Sequence, residues 1–439
     1  MKKRIFFPII FILCLLTAIS PLGASAYTVD ADYPLNCDKY ILVSLDTNEV
    51  VAGSNTAVKN HPAGLTQIMT ALLAAETYAD LNTQILYTDT GLEYSRYLGG
   101  VGMDLLSGEY MTVRDHLKRM LISGKADSAV ALAFDISDSI ALFVQKMNKR
   151  AKELGMNNTE FKDPVGMLPG AVTTCEDMAK LCKEFVKKTD LCDIVRARRT
   201  ATEGTNMASA RDLFTTNYMI DDAYPSYYYR YAKGGKTGYS NEAGRCLFQM
   251  AEYGGARYFA VLLGCASKDE EGNSVRYDFS SARQLFRWAF LELKYVSVVR
   301  LNEPLAEVEV ELALSVDHVG LVPKQDVYAL VPEKDLEAIT YKAYPKSDTV
   351  QAPIAADQVL GYAEIYCSGQ LIATVDLVAQ TPVKRNFTLF LFDRLSAFFT
   401  APATLIVLGV LFALALIGAV WLYRYNRKQR RMNSYRRRR

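Results

Sequence analysis

The segment His61-Pro-Ala-Gly-Leu-Thr-Gln-Ile-Met-Thr-Ala-Leu-Leu-Ala74 contains no Asp, Glu, Lys or Arg. Its apolar residues Leu65, Ile68, Met69, Leu72 and Leu73 recur at helical spacing, which predicts a helix over Gly64 to Tyr78. A helix apolar around most of its circumference belongs in the middle of a fold. Upstream, Tyr40 to Leu45 and Glu49 to Ala52 flank Asp46-Thr47-Asn48 and read as a β-hairpin. Downstream, helical spacing returns at Val113 to Leu121, Ser128 to Lys152 and Cys175 to Lys188. After Tyr239 the pattern turns to strands. Gly244 to Ala251 and Tyr258 to Cys265 read as a second hairpin, and Ser281 to Leu293 as a closing helix. An α/β domain is implied, an antiparallel sheet with helices. Beyond about Ser297, short alternating strands at Ala306 to Ala313, Val327 to Val331, Gly361 to Tyr366 and Gln370 to Leu377 predict a small all-β domain.

The two ends carry different signals. Lys2, Lys3 and Arg4, an apolar run from Ile5 to Leu16 and the small residues Ala24-Ser25-Ala26 read as a secretory signal over 1–26. Pro402 to Tyr423 is an uncharged apolar stretch, about 33 Å long as a helix and sufficient to cross a bilayer. Its basic flank, 424–439, is expected on the cytoplasmic side. The net charge of +2 conceals twelve cations and no acid in these end segments, so Tyr27 to Tyr423 carries about −10. An acidic exported domain excludes nucleic acid as the expected partner, and the arginine tail suits topology and anionic lipid headgroups.

Seven cysteines remain after the signal (Cys37, Cys175, Cys182, Cys192, Cys246, Cys265 and Cys367), and an odd number leaves at least one unpaired. Cys246 and Cys265 lie in apolar strand-like runs and are expected as small core residues. With no Cys-x-x-Cys pair and three scattered histidines (His61, His116, His318), neither a metal site nor a Ser-His-Asp triad is expected, and no cofactor is implied.

Lys236-Thr237-Gly238 follows Gly234-Gly235. A phosphate-binding loop would need glycine where Arg230 stands and a helix afterwards, whereas a strand follows here. On an edge strand the same tripeptide has another use. The ammonium and hydroxyl hold a substrate carboxylate, and the glycine lets a substrate backbone lie close.

Five pieces in order, spanning roughly residues 37 to 380, resemble the D-alanyl-D-alanine carboxypeptidase family of penicillin-binding proteins, serine peptidases of the bacterial cell wall. They are Ile-Leu-Val-Ser-Leu-Asp-Thr-Asn-Glu-Val-Val; Pro-Ala-Gly-Leu-Thr-Gln-Ile-Met-Thr-Ala-Leu-Leu; Leu-Ile-Ser-Gly-Lys-Ala-Asp-Ser-Ala-Val-Ala-Leu-Ala; Asn-Thr-Glu-Phe-Lys-Asp-Pro-Val-Gly-Met; and Gly-Gly-Lys-Thr-Gly-Tyr-Ser-Asn-Glu-Ala-Gly-Arg-Cys-Leu. The resemblance implies a penicillin-binding, serine β-lactamase-like fold. It also implies where chemistry should sit. The family's Ser-x-x-Lys, nucleophile and base one helical turn apart, falls on Gly64 and Gln67. Its Ser-x-Asn falls, without gaps, on Gly124 and Ala126; a gapped alternative uses Ser123-Gly124-Lys125. Only Lys236, Thr237 and Gly238 remain, as substrate-binding residues.

The resemblance thus implies a pseudoenzyme of peptidoglycan biology, a binder of stem peptides ending in D-Ala-D-Ala or of cell-wall synthesis proteins. The alternative is a working carboxypeptidase with a displaced nucleophile, Ser123 or Thr66, and Lys125 as base. The expected organisation is an α/β domain over 27–295, a β-rich domain over 296–384, a juxtamembrane linker over 385–401 and a single-pass helix over 402–423 holding the main domains outside the cell.

Overall fold

The computed structural model describes residues 27–99 and 102–436, with side chains to residue 428. The signal expected over 1–26 lies outside the described residues. The described residues divide into two compact units, one running to Lys294 and including Leu330–Leu336, the other comprising Tyr295–Ala329 and the chain from Glu337 onwards.

The first unit is built on one antiparallel sheet. Its strands are β1 (Lys39–Ser44), β2 (Val50–Ser54), β3 (Ala232–Ser240), β4 (Gly244–Tyr253) and β5 (Ala256–Cys265), in the order β2-β1-β5-β4-β3. The β1–β2 turn forms as its residues dictate: Ser44 Oγ accepts the N–H groups of Asp46 and Thr47, and Asn48 takes φ 61. β3 lies at the edge of the sheet.

Helix α1 (Thr66–Thr77) is buried continuously from Thr66 to Ala74, as its lack of a polar face requires. Helices α2 (Val113–Ser123) and α3 (Ala126–Ser137) pack beside it. A fully buried ion pair sets their junction: Arg119 Nη2 donates to both Asp127 oxygens at 2.8 Å, and its Nε donates to Ser128 Oγ at 2.7 Å. The single helix expected over Ser128 to Lys152 is in fact two. Asp138 turns left-handed at φ 52, and Ser139 caps α4 (Ile140–Glu153) by accepting the Leu142 N–H. Helices α5 (Cys175–Val186) and α6 (Tyr277–Glu292) also pack on the sheet.

Cys265 is buried but is not the simple core residue expected: its sulfur is bonded to Cys37, across a sequence separation of 228. β1 begins two residues after Cys37 and pairs with β5, whose last residue is Cys265, so the adjacent strands bring the two together. Cys246 stays a buried thiol, its pKa pushed up to about 12 by burial.

The second unit holds a six-stranded sheet of β6 (Ala306–Glu311), β7 (His318–Pro323), β8 (Ile339–Pro345), β9 (Thr349–Gln351), β10 (Val359–Cys367) and β11 (Gln370–Ala379), in the order β8-β10-β11-β7-β6-β9. Alternation assigns its faces. Val308 and Val310 are buried while Glu307, Glu309 and Glu311 are exposed. After the sheet, most of the segment expected as a linker is helix α7 (Phe387–Thr400), capped by Asn386, whose Oδ1 accepts the Thr388 and Leu389 N–H groups. Ala401 is extended, and α8 (Pro402–Arg436) follows. Within Pro402–Lys428 an eighteen-residue stretch has a mean hydropathy of 2.8 with none of it buried, long and apolar enough to cross a membrane.

Candidate functional site

The entry to α1 is a 3-10 turn, Ala63–Leu65, which carries Gly64 and puts Gln67 in the helix's first turn. His61 shapes that entry. Its Nδ1 accepts the Ala63 N–H at 3.1 Å, so Nε2 holds the proton and donates to the Leu168 carbonyl at 3.0 Å. The following loop is tied down by Asp163, whose buried carboxylate accepts the N–H groups of Val165, Gly166, Met167 and Leu168 at 2.6–3.0 Å. Gly166 has φ 87, and a Cβ there would stand 1.9 Å from the Ala63 carbonyl oxygen, so the loop can close over the turn only with glycine.

Edge strand β3 is the facing wall. A Cβ on Gly238 would lie 2.8 Å from the Gly64 nitrogen, and one on Gly64 would lie 3.0 Å from the Thr237 carbonyl oxygen. The two glycines therefore let strand and turn meet backbone to backbone. Between these walls is a cavity of about 260 Å³ lined by Gly64, Gln67, Gly124, Ala126, Lys236, Thr237 and Gly238, together with Val165, Met167, Thr216, Tyr218, Tyr239, Arg245 and Arg276.

Lys236 is only 2% exposed, and burial lowers its pKa to about 8. Its Nζ donates to the Thr237 carbonyl at 2.7 Å and lies 3.5 Å from where a Gly64 Cβ would be. The ammonium thus occupies the neighbourhood of the missing side chain. Thr237 and Thr216 join hydroxyl to hydroxyl at 2.6 Å. Arg245 lies 5.2 Å over the Tyr239 ring, and Arg276 pairs with Asp278 at 2.7 Å. The cavity can attract and orient an anion through three cations, but its lining contains no serine, cysteine or histidine.

The remaining sequence candidates do not join it. Ser123 is the last residue of α2, and its hydroxyl donates to the Phe214 carbonyl at 2.9 Å. Lys125 pairs with Asp104 at 2.8 Å. Thr66 is buried beneath the turn, with its hydroxyl unpartnered among the described residues. Neither Ser123, Lys125 nor Thr66 lines the cavity. Sequence reasoning passed over Arg245, Arg276, Thr216 and Tyr218. Arg245 had a signal: in the tight hairpin β3–β4 it falls opposite Tyr239, three residues beyond Lys236. Arg276 lies in an irregular segment without periodicity and had none.

A buried helix whose entry turn faces a Lys-Thr-Gly edge strand across a cavity defines the penicillin-binding, serine β-lactamase-like class of fold. Within it, the chain belongs to the D-alanyl-D-alanine carboxypeptidase family, whose sequence model matches residues 26–267. The penicillin-binding protein 5 C-terminal domain matches residues 294–385. D-alanyl-D-alanine carboxypeptidase DacF of Bacillus subtilis is 29% identical over 357 residues, covering 80% of this chain and 87% of DacF. DacC of Escherichia coli is 26% identical over 385 residues, covering 83% of this chain and 88% of its own length. The crystal structure of DacD from Francisella tularensis superposes with a TM-score of 0.65 at 22% identity, covering 80% of this chain and 95% of that one. Penicillin-binding protein 5 from Haemophilus influenzae gives 0.59 at 20% identity, with coverage of 80% and 98%.

Proposed function

We propose that this chain is a membrane-anchored, non-catalytic receptor for peptidoglycan stem peptides ending in D-Ala-D-Ala. The observation that carries this reading is the company Lys236 keeps: Gly64 and Gln67 line the cavity beside it. A glycine supplies no nucleophile, and a neutral carboxamide is no general base near neutral pH. The carboxylate-binding cation and hydroxyl persist while the bond-breaking pair is absent. A displaced nucleophile is disfavoured because Ser123 faces a backbone carbonyl and Lys125 is held by Asp104. The basic tail after the apolar helix supports an outward orientation of the cavity-bearing domain with the tail in the cytoplasm, so the stem peptide is bound on the outer side of the membrane.

Calorimetry on the full-length protein in detergent tests the reading. A peptide ending in D-Ala-D-Ala should bind at least about tenfold more tightly than its C-terminal amide, and Lys236→Ala should remove that preference, as expected for a charge-assisted contact. The pH dependence has a definite sign. The contact needs the ammonium, so affinity should hold below pH 8 and decline as pH rises through and above about 8. Equal affinity for acid and amide would remove the carboxylate role of Lys236.

Attachment has its own test. Deleting 402–439 should move the protein from the membrane to the soluble fraction; continued tight association after alkaline carbonate washing would shift the anchor to α7.

A further inference from the structure

We infer that Gln67, standing where the family carries its lysine base, is a specificity-determining residue: its carboxamide oxygen accepts the N–H of the ligand's last peptide bond, so the cavity selects an uncleaved amide. This rests on the reading that a stem peptide occupies the cavity.

Gln67 is 2% exposed and lines the cavity, yet its Oε1 has no hydrogen-bond partner among the described residues. A buried acceptor without a donor is costly; of its flanking residues, Ile68 is fully buried and apolar, and the buried Thr66 hydroxyl makes no hydrogen bond among the described residues. Leucine or methionine would fill the same place without that cost. The carboxamide can also turn about its last bond with little resistance, because that torsion is broad, and so can present oxygen to the cavity.

A second unpartnered buried polar atom belongs to the same cavity, the Nε donor of Arg245. Lys236 uses its ammonium on a single backbone carbonyl at 2.7 Å, which leaves N–H directions to spare. The cavity therefore offers a buried side-chain acceptor without a partner and spare cationic donors. A C-terminal amino acid in peptide linkage presents the complement within one residue: an amide N–H, and a carboxylate two bonds further on. An ester has the carboxylate and lacks the N–H.

The test uses that single-atom difference. The full-length protein in detergent is titrated with a peptide ending in D-Ala-D-Ala and with its depsipeptide analogue, in which oxygen replaces the terminal amide nitrogen. The native chain should prefer the amide by about tenfold. Gln67→Leu should bind both alike, retain the preference for a terminal carboxylate over a terminal carboxamide, and melt at a higher temperature than the native chain. Gln67→Met provides the same readout should the leucine variant fail to fold. Equal affinity of the native chain for amide and ester overturns the inference while leaving the receptor reading intact, and so does an undiminished amide preference in the variants. If the native chain binds neither ligand, both readings fall.

Discussion

Removing the disulfide, by the double substitution Cys37→Ala and Cys265→Ala, should lower the unfolding free energy of the α/β domain by roughly 5 kcal/mol, the loop-closure value for a ring of this size. The bond spans a sequence separation of 228 and encloses every strand of the five-stranded sheet. Pairing of β1 with β5 already aligns the two ends in the folded state, where Lys39 faces Leu263. The bond's effect is therefore on the unfolded chain, whose ends it keeps together. Trp288 is fully buried in α6 and reports on this domain; the other tryptophan, Trp421, lies in the apolar helix. Guanidinium unfolding followed by Trp288 fluorescence in a Trp421→Phe background measures the effect. A loss below about 1 kcal/mol would mean that the unfolded chain is already held together without the bond. A disulfide of this kind also fits a domain that folds on the oxidising side of the membrane.

The features legible in the sequence are those written as local periodicity. Leu65, Ile68, Met69, Leu72 and Leu73 mark α1, and the alternation of Val308 and Val310 with glutamates marks β6. Lys236-Thr237-Gly238 is equally local, as are the empty places at Gly64 and Gln67. Features set by long-range geometry were not legible. The pairing of Cys37 with Cys265 depends on β1 and β5 being neighbours, although they lie far apart in the chain. The break between α3 and α4 depends on Asp138 turning left-handed, which the surrounding helical spacing hides. The cavity's size depends on how closely β3 approaches the turn at Gly64, and spacing along the chain carries no measure of that approach.

That approach governs the other large effect, the response to penicillin. Incubated with a penicillin, the native chain should gain no mass, because Gly64 has no oxygen to open the lactam ring, the cavity hydroxyls of Thr216 and Thr237 bond to each other, and the Lys236 ammonium is turned to the Thr237 carbonyl. Intact-mass spectrometry reads this directly, and one added penicillin per chain would overturn the non-catalytic reading and direct mutagenesis to Ser123 first. Restoring the family's residues is the complementary experiment, and the structure sets its terms. A serine at 64 brings Cβ to 3.0 Å from the Thr237 oxygen and 3.2 Å from Gly238 Cα, so β3 must yield by a few tenths of an ångström. As an edge strand it has only β4 beside it in the sheet, so the shift breaks no strand pairing on its other side. A serine at 124 must adopt φ 71, at a cost of about 1–2 kcal/mol. The set Gly64→Ser, Gln67→Lys, Gly124→Ser and Ala126→Asn should therefore acylate slowly but measurably. The set Gly64→Ser, Gln67→Lys and Lys125→Asn, which relies on Ser123, should acylate less, because the Ser123 hydroxyl is directed to the Phe214 carbonyl and does not line the cavity. Faster acylation by the second set would show that the segment after α2 rearranges once Lys125 releases Asp104. If both sets fold and neither acylates, the backbone contact of Gly64 with Gly238 closes the site to lactams, and the first variant to widen it is one that moves β3, not one that adds another nucleophile.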